Sequence, residues 1–275
     1  MQYSVLMSVY HKERSDFLKS AIESVLQQTV KTDDFLIVWD GKLTLELENL
    51  LEEYQRNYSD IIRFLKIEIN VGLGEALRRG VLECRNSLIA RMDSDDIAVP
   101  QRMEWQLEAF HKRNDLVLCG GQIEEFSINS DLPENRRIVP CKYEDILIYA
   151  KKRNPMNHMT VMFYKEAVLE AGNYLPMNFA EDYYLWVRML IKGFYVQNLP
   201  QILVKARVGN GMYCRRGGLR YSINITRLMN KFFQIGFLKR SEFIRNIVIR
   251  IFVSLLPSKL RKIVYNKKLR KNEEN

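Results

Sequence analysis

The first half of this chain is constrained most by a rhythm. Strand and helix signals alternate from residue 3 to residue 93 with connections of a few residues each. "YSVLMSVY" (3–10) is a β-rich apolar run. "SDFLKSAIESVLQQ" (15–28) places Phe17, Leu18, Ala21, Ile22, Val25 and Leu26 on one helical face, with Ser15 in an N-cap position. "FLIVWD" (35–40), "IRFLKIE" (62–68) and "SLIARMD" (87–93) repeat the strand signal. "TLELENLLEEYQRNY" (44–58) and "LGEALRRGVLEC" (73–84) are the helices between them. Such alternation implies βαβ units on a mostly parallel sheet, where ligands bind beyond the carboxyl ends of the strands. Asp40 and Asp93 sit at two of those ends.

The fourth strand ends in "MDSDD", with Asp93, Asp95 and Asp96 inside four positions. Three like charges at a strand end repel one another unless a cation lies between them. Mg²⁺ and Mn²⁺ are hard ions that take carboxylate oxygens and bridge to substrate phosphates, so the cluster is a candidate site for either. The competing expectation is a solvated acidic turn ahead of a helix over 100–113.

Beyond residue 100 the rhythm loosens. "PQRMEWQLEAFHKR" reads as a helix, "LVLCGGQIEEFS" as a strand, and 127–160 is polar with no clear period. "EDYYLWVRMLIKG" (181–193) is a helix opening on two acids, which suit a helix N-terminus. "QILVKARVG" (201–209) is a strand, followed by the basic, Gly-rich "GNGMYCRRGG" (209–218). The segment 219–275 is helical. Within it, 243–257 carries Phe243, Ile244, Ile247, Val248, Ile251 and Leu255 on one expected side.

Charge divides the chain at the same place. Net charge is +9, but residues from 211 on carry 16 basic and 3 acidic side chains, a balance of +13, so the remainder is mildly acidic at −4. A basic tail with an aliphatic face implies an anionic membrane surface. A nucleic-acid-binding module using this tail is the alternative. It would pair its basic residues with a stacking sheet or recognition helix, and no such element is legible. No stretch reaches the roughly 18–20 apolar residues of a membrane span. The first residues enter a strand directly, which predicts no secretory signal. Cys84, Cys119, Cys141 and Cys214 form no CxxC pair and read as reduced thiols. The expected place is the cytoplasm, peripheral on the inner face of the cell membrane.

Taken in order, "SVLMSVYHKE", "SVLQQT", "DGKLT", "NVGLGEAL", "ARMDSDDIAVPQR", "NPMNHMTVMF", "AEDYYLWVRM" and "RRGG" resemble the inverting, GT-A-fold glycosyltransferases of family 2. The resemblance is to the branch of bacterial exopolysaccharide and O-antigen synthesis, and it spans about 215 residues. It implies an α/β GT-A catalytic domain over 1–218; the charge and apolar pattern read above make 219–275 a basic, amphipathic, membrane-associating helical tail. It implies transfer of a hexose from a UDP-sugar to a lipid-linked saccharide, with a divalent metal, Mn²⁺ or Mg²⁺.

Residue by residue, the resemblance puts Ser8, Tyr10 and Asp40 at the nucleotide base and Asn70 and Gly72 near the nucleoside. Asp93 falls on the ribose, Asp95 on the metal, and Asp182 is the catalytic base. His158, Arg207, Arg215 and Arg216 are candidates for phosphate or acceptor. One departure is visible: where the family often has two acids before the glycine, this chain has Trp39-Asp40. A nucleotidyltransferase, which also uses an α/β sheet and metal-binding acids, is the alternative enzyme class. It would usually carry a Gly-rich loop after the first strand, and "SVYHKERSDF" has no glycine.

Overall fold

The computed structural model describes residues 1–177, 180–208 and 218–255. Four parallel strands form the first half: β1 (Ser4–Val9), β2 (Asp34–Asp40), β3 (Ile62–Ile67) and β4 (Leu88–Met92). Between them run α1 (Ser15–Leu26), α2 (Leu45–Asn57) and α3 (Leu73–Glu83). Side chains alternate between the two faces of this sheet, as a strand's period of two demands. Val5, Met7, Val9, Phe35, Ile37 and Trp39 enter one core, and Leu6, Leu36 and Val38 enter the other. On α3, Gly80 is needed for packing. A Cβ there would lie 2.4 Å from Leu6 Cδ1, so only glycine lets the helix approach the sheet this closely.

Ser15 is not the cap expected from the sequence. Arg14 flanks α1, no side chain caps it, and Ser15 is already helical with its hydroxyl donating to Glu46 of α2. Thr44 does cap α2, accepting from the Leu47 N–H.

The second half is mixed. It comprises β5 (Ile97–Ala98), α4 (Arg102–Lys112), β6 (Leu116–Phe126), β7 (Asn135–Arg137), α5 (Tyr143–Ala150), a 3₁₀ turn (His158–Thr160), β8 (Met162–Tyr164), α6 (Lys165–Glu170), α7 (Glu181–Ile191) and β9 (Tyr195–Arg207). Together the described strands make one nine-stranded sheet in the order β3-β2-β1-β4-β8-β6-β9-β5, with β7 beside β6. Three-residue β8 runs antiparallel between β4 and β6 and welds the two halves. β9 begins six residues before the strand read from the sequence and runs through Pro200. Proline has no N–H for the ladder and is tolerated where pairing breaks, and the register to β6 does shift there, from Asn198 opposite Gly120 to Ile202 opposite Gln122.

Two further helices, α8 (Gly218–Gln234) and α9 (Arg240–Leu255), pack as a pair on α7. Ile225, Leu228, Met229 and Phe232 of α8 meet Tyr183, Tyr184 and Val187 of α7, with Tyr183 edge-on to Phe232 at 4.9 Å. The apolar stripe read on α9 is divided. Phe243 and Ile247 face the body, whereas Ile244 and Val248 are exposed. Among the described residues no helix is long and apolar enough to cross a membrane.

Candidate active site

The parallel register brings the first set of predicted residues to one edge. Met7 pairs with Met92, and Val9 with Trp39. Ser8, Tyr10, Asp40 and Asp93 therefore stand side by side at the carboxyl ends of β1, β2 and β4. Ser8 is half-buried and Tyr10 exposed. Asp40 is buried, and its carboxylate accepts from the Val71 N–H (2.7 Å), the Gly72 N–H (3.0 Å) and Asn70 Nδ2 (3.0 Å). It thereby moulds the loop entering α3, in which Gly72 takes φ +85°, a region that favours glycine. Gly41 makes the same demand: its φ is +87°, and a Cβ would meet the Asn70 nitrogen at 2.7 Å.

Asp93, Asp95 and Asp96 converge, one carboxylate oxygen from each lying within 4.8 Å of the others. Each has a different neighbour. Asp93 is gripped by both arms of the Arg91 guanidinium, one bond measuring 2.7 Å. Asp96 is buried and accepts from the Arg207 N–H at 2.7 Å. Among the described residues Asp95 accepts no side-chain hydrogen bond, and burial, then the charges of Asp93 and Glu13, push its carboxyl up to about 7. Burial, then Asp95 and Asp93, hold Asp96 well above the usual carboxylate range. Such a crowded set of hard oxygen donors suits a small divalent cation.

Arg207, a candidate for phosphate, is used locally. Its guanidinium stacks 3.8 Å from the Phe17 ring centre and 4.5 Å from that of Phe126, and its Nε donates to the Asp95 carbonyl. The end of β9 thus clamps the acidic loop from one side. Ser94 clamps it from the other, donating to Glu13 at 2.5 Å. Arg215 and Arg216 lie outside the described residues.

The second acidic group opens α7. Asp182 accepts from Asn154 Nδ2 (2.6 Å) and from the Tyr183 N–H (2.7 Å). Burial raises its carboxyl, opposed by those two hydrogen bonds and by the charge of Arg91. Glu181 beside it is pushed up to about 7 by burial and by Asp182. His158 Nδ1 lies 4.0 Å from Asp182 Oδ2, and its Nε2 meets the Tyr174 hydroxyl at 2.9 Å. Burial, then Arg91, lowers the imidazole well below its ordinary value, so it is neutral. Glu181 also closes against α3, its Cβ sitting where a Cβ on Gly74 would approach to 3.2 Å.

Arg91 is the residue that sequence reasoning missed. It lies fully buried on β4, held charged because Asp93 outweighs the penalty of burial, and its charge is felt by Asp95, Asp96, Asp182, Glu181, His158 and Tyr174. A single arginine within an apolar strand, two positions before the acids, was the available signal. Asn154, in the stretch without a clear period, was also missed. A shallow depression bounded by Met1, Gln2, Asn86, Ser87, Leu88 and Tyr164 lies at the opposite ends of β1 and β4 and takes no part in this arrangement.

The mixed nine-stranded sheet flanked by helices is the GT-A fold of glycosyltransferases. Staphylococcus aureus TarS 1–349, solved with UDP-GlcNAc, matches with a TM-score of 0.67 at 15% identity, over 98% of this chain and 76% of that one. A mannosyltransferase from Pyrobaculum calidifontis, solved with GDP-Man and Mn²⁺, matches with a TM-score of 0.67 at 10% identity, over 97% and 75%.

The chain belongs to glycosyl transferase family 2, whose profile matches residues 4–172, and it is a glycosyltransferase. An Escherichia coli UDP-Gal:alpha-D-GlcNAc-diphosphoundecaprenol beta-1,3-galactosyltransferase is 36% identical over 98% of this chain and 97% of its own length. The amylovoran biosynthesis glycosyltransferase AmsE of Erwinia amylovora is 34% identical over 96% and 98%. Family membership decides against the nucleotidyltransferase.

Proposed function

We propose that this glycosyltransferase moves a hexose from a UDP-sugar to a hydroxyl of a lipid-linked saccharide, inverting the anomeric centre, in cell-surface polysaccharide synthesis at the inner membrane face. The observation that carries the reading is the pair of acidic groups, one suited to a cation and one to a proton, joined by Arg91. The E. coli relative, named for a UDP-galactose donor and a diphosphoundecaprenol-linked acceptor, supports the substrate classes.

In this reading Ser8 and Tyr10 line the base pocket, and Asp40 builds the pocket wall by fixing Asn70 to Gly72. Asp93, oriented by the Arg91 fork, offers its remaining lone pairs to the ribose hydroxyls. Asp95 would hold Mn²⁺ or Mg²⁺, with Asp96 alongside, and that ion would offset the charge of the departing diphosphate. Asp182 takes the proton of the acceptor hydroxyl as that oxygen attacks the anomeric carbon. Its two hydrogen bonds fix the carboxylate while leaving lone pairs for the acceptor. Neutral His158, steadied by Tyr174, borders the acceptor side.

The test is calorimetric titration of UDP and a panel of UDP-hexoses, with and without Mn²⁺, on the wild type and Asp95→Ala. Metal-dependent UDP binding that vanishes in the variant is expected, and the tightest sugar nominates the donor. Absence of UDP binding under every metal condition overturns the UDP assignment. The anomeric configuration of the product, read by NMR, tests inversion.

A further inference from the structure

The two C-terminal helices have a face that the catalytic site does not use. α9 is fastened to the body along one side. Glu242 pairs with Lys151 Nζ at 3.0 Å, Asn246 Nδ2 donates to the Lys151 carbonyl at 2.8 Å, and Arg250 donates to the Lys152 carbonyl at 2.6 Å. Phe243 stacks on Phe233 of α8 at 5.0 Å, and Ile247 joins the same apolar cluster.

The other side presents Ser241, Ile244, Arg245, Val248, Ile249 and Phe252, all exposed. At 3.6 residues per turn these six fall within an arc of about 140°. The four large apolar members are 52%, 60%, 52% and 67% exposed, in chain order Ile244, Val248, Ile249 and Phe252. Scattered exposed apolar residues need no explanation, but four on one helical face do.

Charge identifies the occupant. Residues 218–255 contain seven basic side chains and one acid, Glu242, which is already paired with Lys151. Lys239, Arg240 and Arg245 are exposed on α9 or at its start. An apolar arc edged by cations is the pattern of a helix lying in an anionic bilayer interface, and α9, at 16 residues, is not a candidate to cross one.

We propose that the outer face of α9 is the membrane-docking surface, with Ile244, Val248, Ile249 and Phe252 inserted below the headgroups of an anionic bilayer. This deepens the proposed membrane association and rests on it. The docked helix stands on the segment that carries Asn154, the hydrogen-bond partner of Asp182, and α8 packs on α7, which carries Asp182 itself. Docking there sets Asp182 at a fixed height above the lipid surface, where a lipid-linked hydroxyl would be presented.

The test uses the full chain and vesicles of phosphatidylcholine alone or mixed with phosphatidylglycerol. The wild type is expected to bind the mixed vesicles and not the neutral ones. The combined Ile244→Gln, Val248→Gln, Ile249→Gln, Phe252→Gln variant should lose at least about 10-fold in partitioning, with UDP binding unchanged. In a second variant, Phe252→Trp, the emission should shift to the blue when mixed vesicles are added.

Equal partitioning of the fourfold variant, or no blue shift, overturns the proposal. So does sedimentation showing that the wild type is a dimer and the fourfold variant a monomer with vesicle binding intact, because a second copy then covers the face. Vesicle binding lost only on deletion of 256–275 also overturns it. UDP binding is read separately, so failure of the donor assignment leaves the vesicle result interpretable.

Discussion

The two acidic groups of this site are built on opposite principles. Asp93, Asp95 and Asp96 are crowded at a strand end, and Arg91 grips Asp93. Glu181 and Asp182 open a helix, and Asp182 is satisfied by neutral donors, Asn154 and the Tyr183 N–H. In the proposed reading the first group would gain stability from a bound divalent ion, whereas Asp182 must stay free of one to take a proton. Arg91 separates these tasks. It neutralises Asp93 by contact and acts on Asp182 only through its field, which favours the carboxylate without occupying it.

The sharpest break of this comparison is Asp182→Asn, which should cut kcat by about 10²–10⁴ while metal-dependent UDP binding is retained. Steady-state kinetics beside UDP titration separate the two readouts. A parallel loss of UDP binding would mean that the two groups are not independent.

Arg91→Met leaves Asp93 without its partner. Removing one member of a buried ion pair costs about 3 kcal/mol at the lower end of the usual range, and the lower end applies because the Asp93 side chain is 27% exposed. Denaturant titration measures this. The same variant should move the acidic limb of kcat/KM to higher pH, because the field that favours ionised Asp182 is gone.

A smaller effect separates the groups by proton binding. Asp95 and Glu181 are held up near 7, and Asp96 and Asp182 are also raised. The folded protein therefore binds more protons than the unfolded chain between the ordinary carboxylate range and about 7. Metal-free stability should fall as pH rises through that window. Added Mn²⁺ should raise Tm more at pH 8 than at pH 5. Asp95→Asn should abolish most of that difference, and Glu181→Gln should leave it, as thermal melts at the two pH values will show. The smallest expected effect is that of His158→Gln on donor binding. UDP affinity should stay within about twofold, since the ring borders Asp182 and Tyr174.

The parallel half of the fold was legible because each strand and helix there is a local, periodic signal. Leu36 and Val38 alternate with Ile37 and Trp39 within one seven-residue strand, and no distant residue is needed to read them. β8 was not legible, since three residues carry no periodicity and their pairing with β4 and β6 is long-range. β9 was read only from residue 201, because Pro200 breaks the local pattern and its tolerance depends on a register shift against Gly120–Gln122. The stripe on α9 was read as one face, and contacts with Lys151, Lys152 and Phe233 divided it into two.

By itself the sequence determined which residues carry charge and where each lies on its own strand or helix, including three acids at the end of β4 and two at the start of α7. Those are properties of a few adjacent residues. Tertiary structure alone decided what surrounds them. It buried Arg91 where its charge reaches both groups, drew Asn154 to Asp182, spent the Asp40 carboxylate on the 70–72 loop, and placed Arg207 against two phenyl rings. The physical reason is that burial and hydrogen bonding set the charge state and freedom of a side chain, and both come from residues tens of positions away, which only the closed sheet brings into contact.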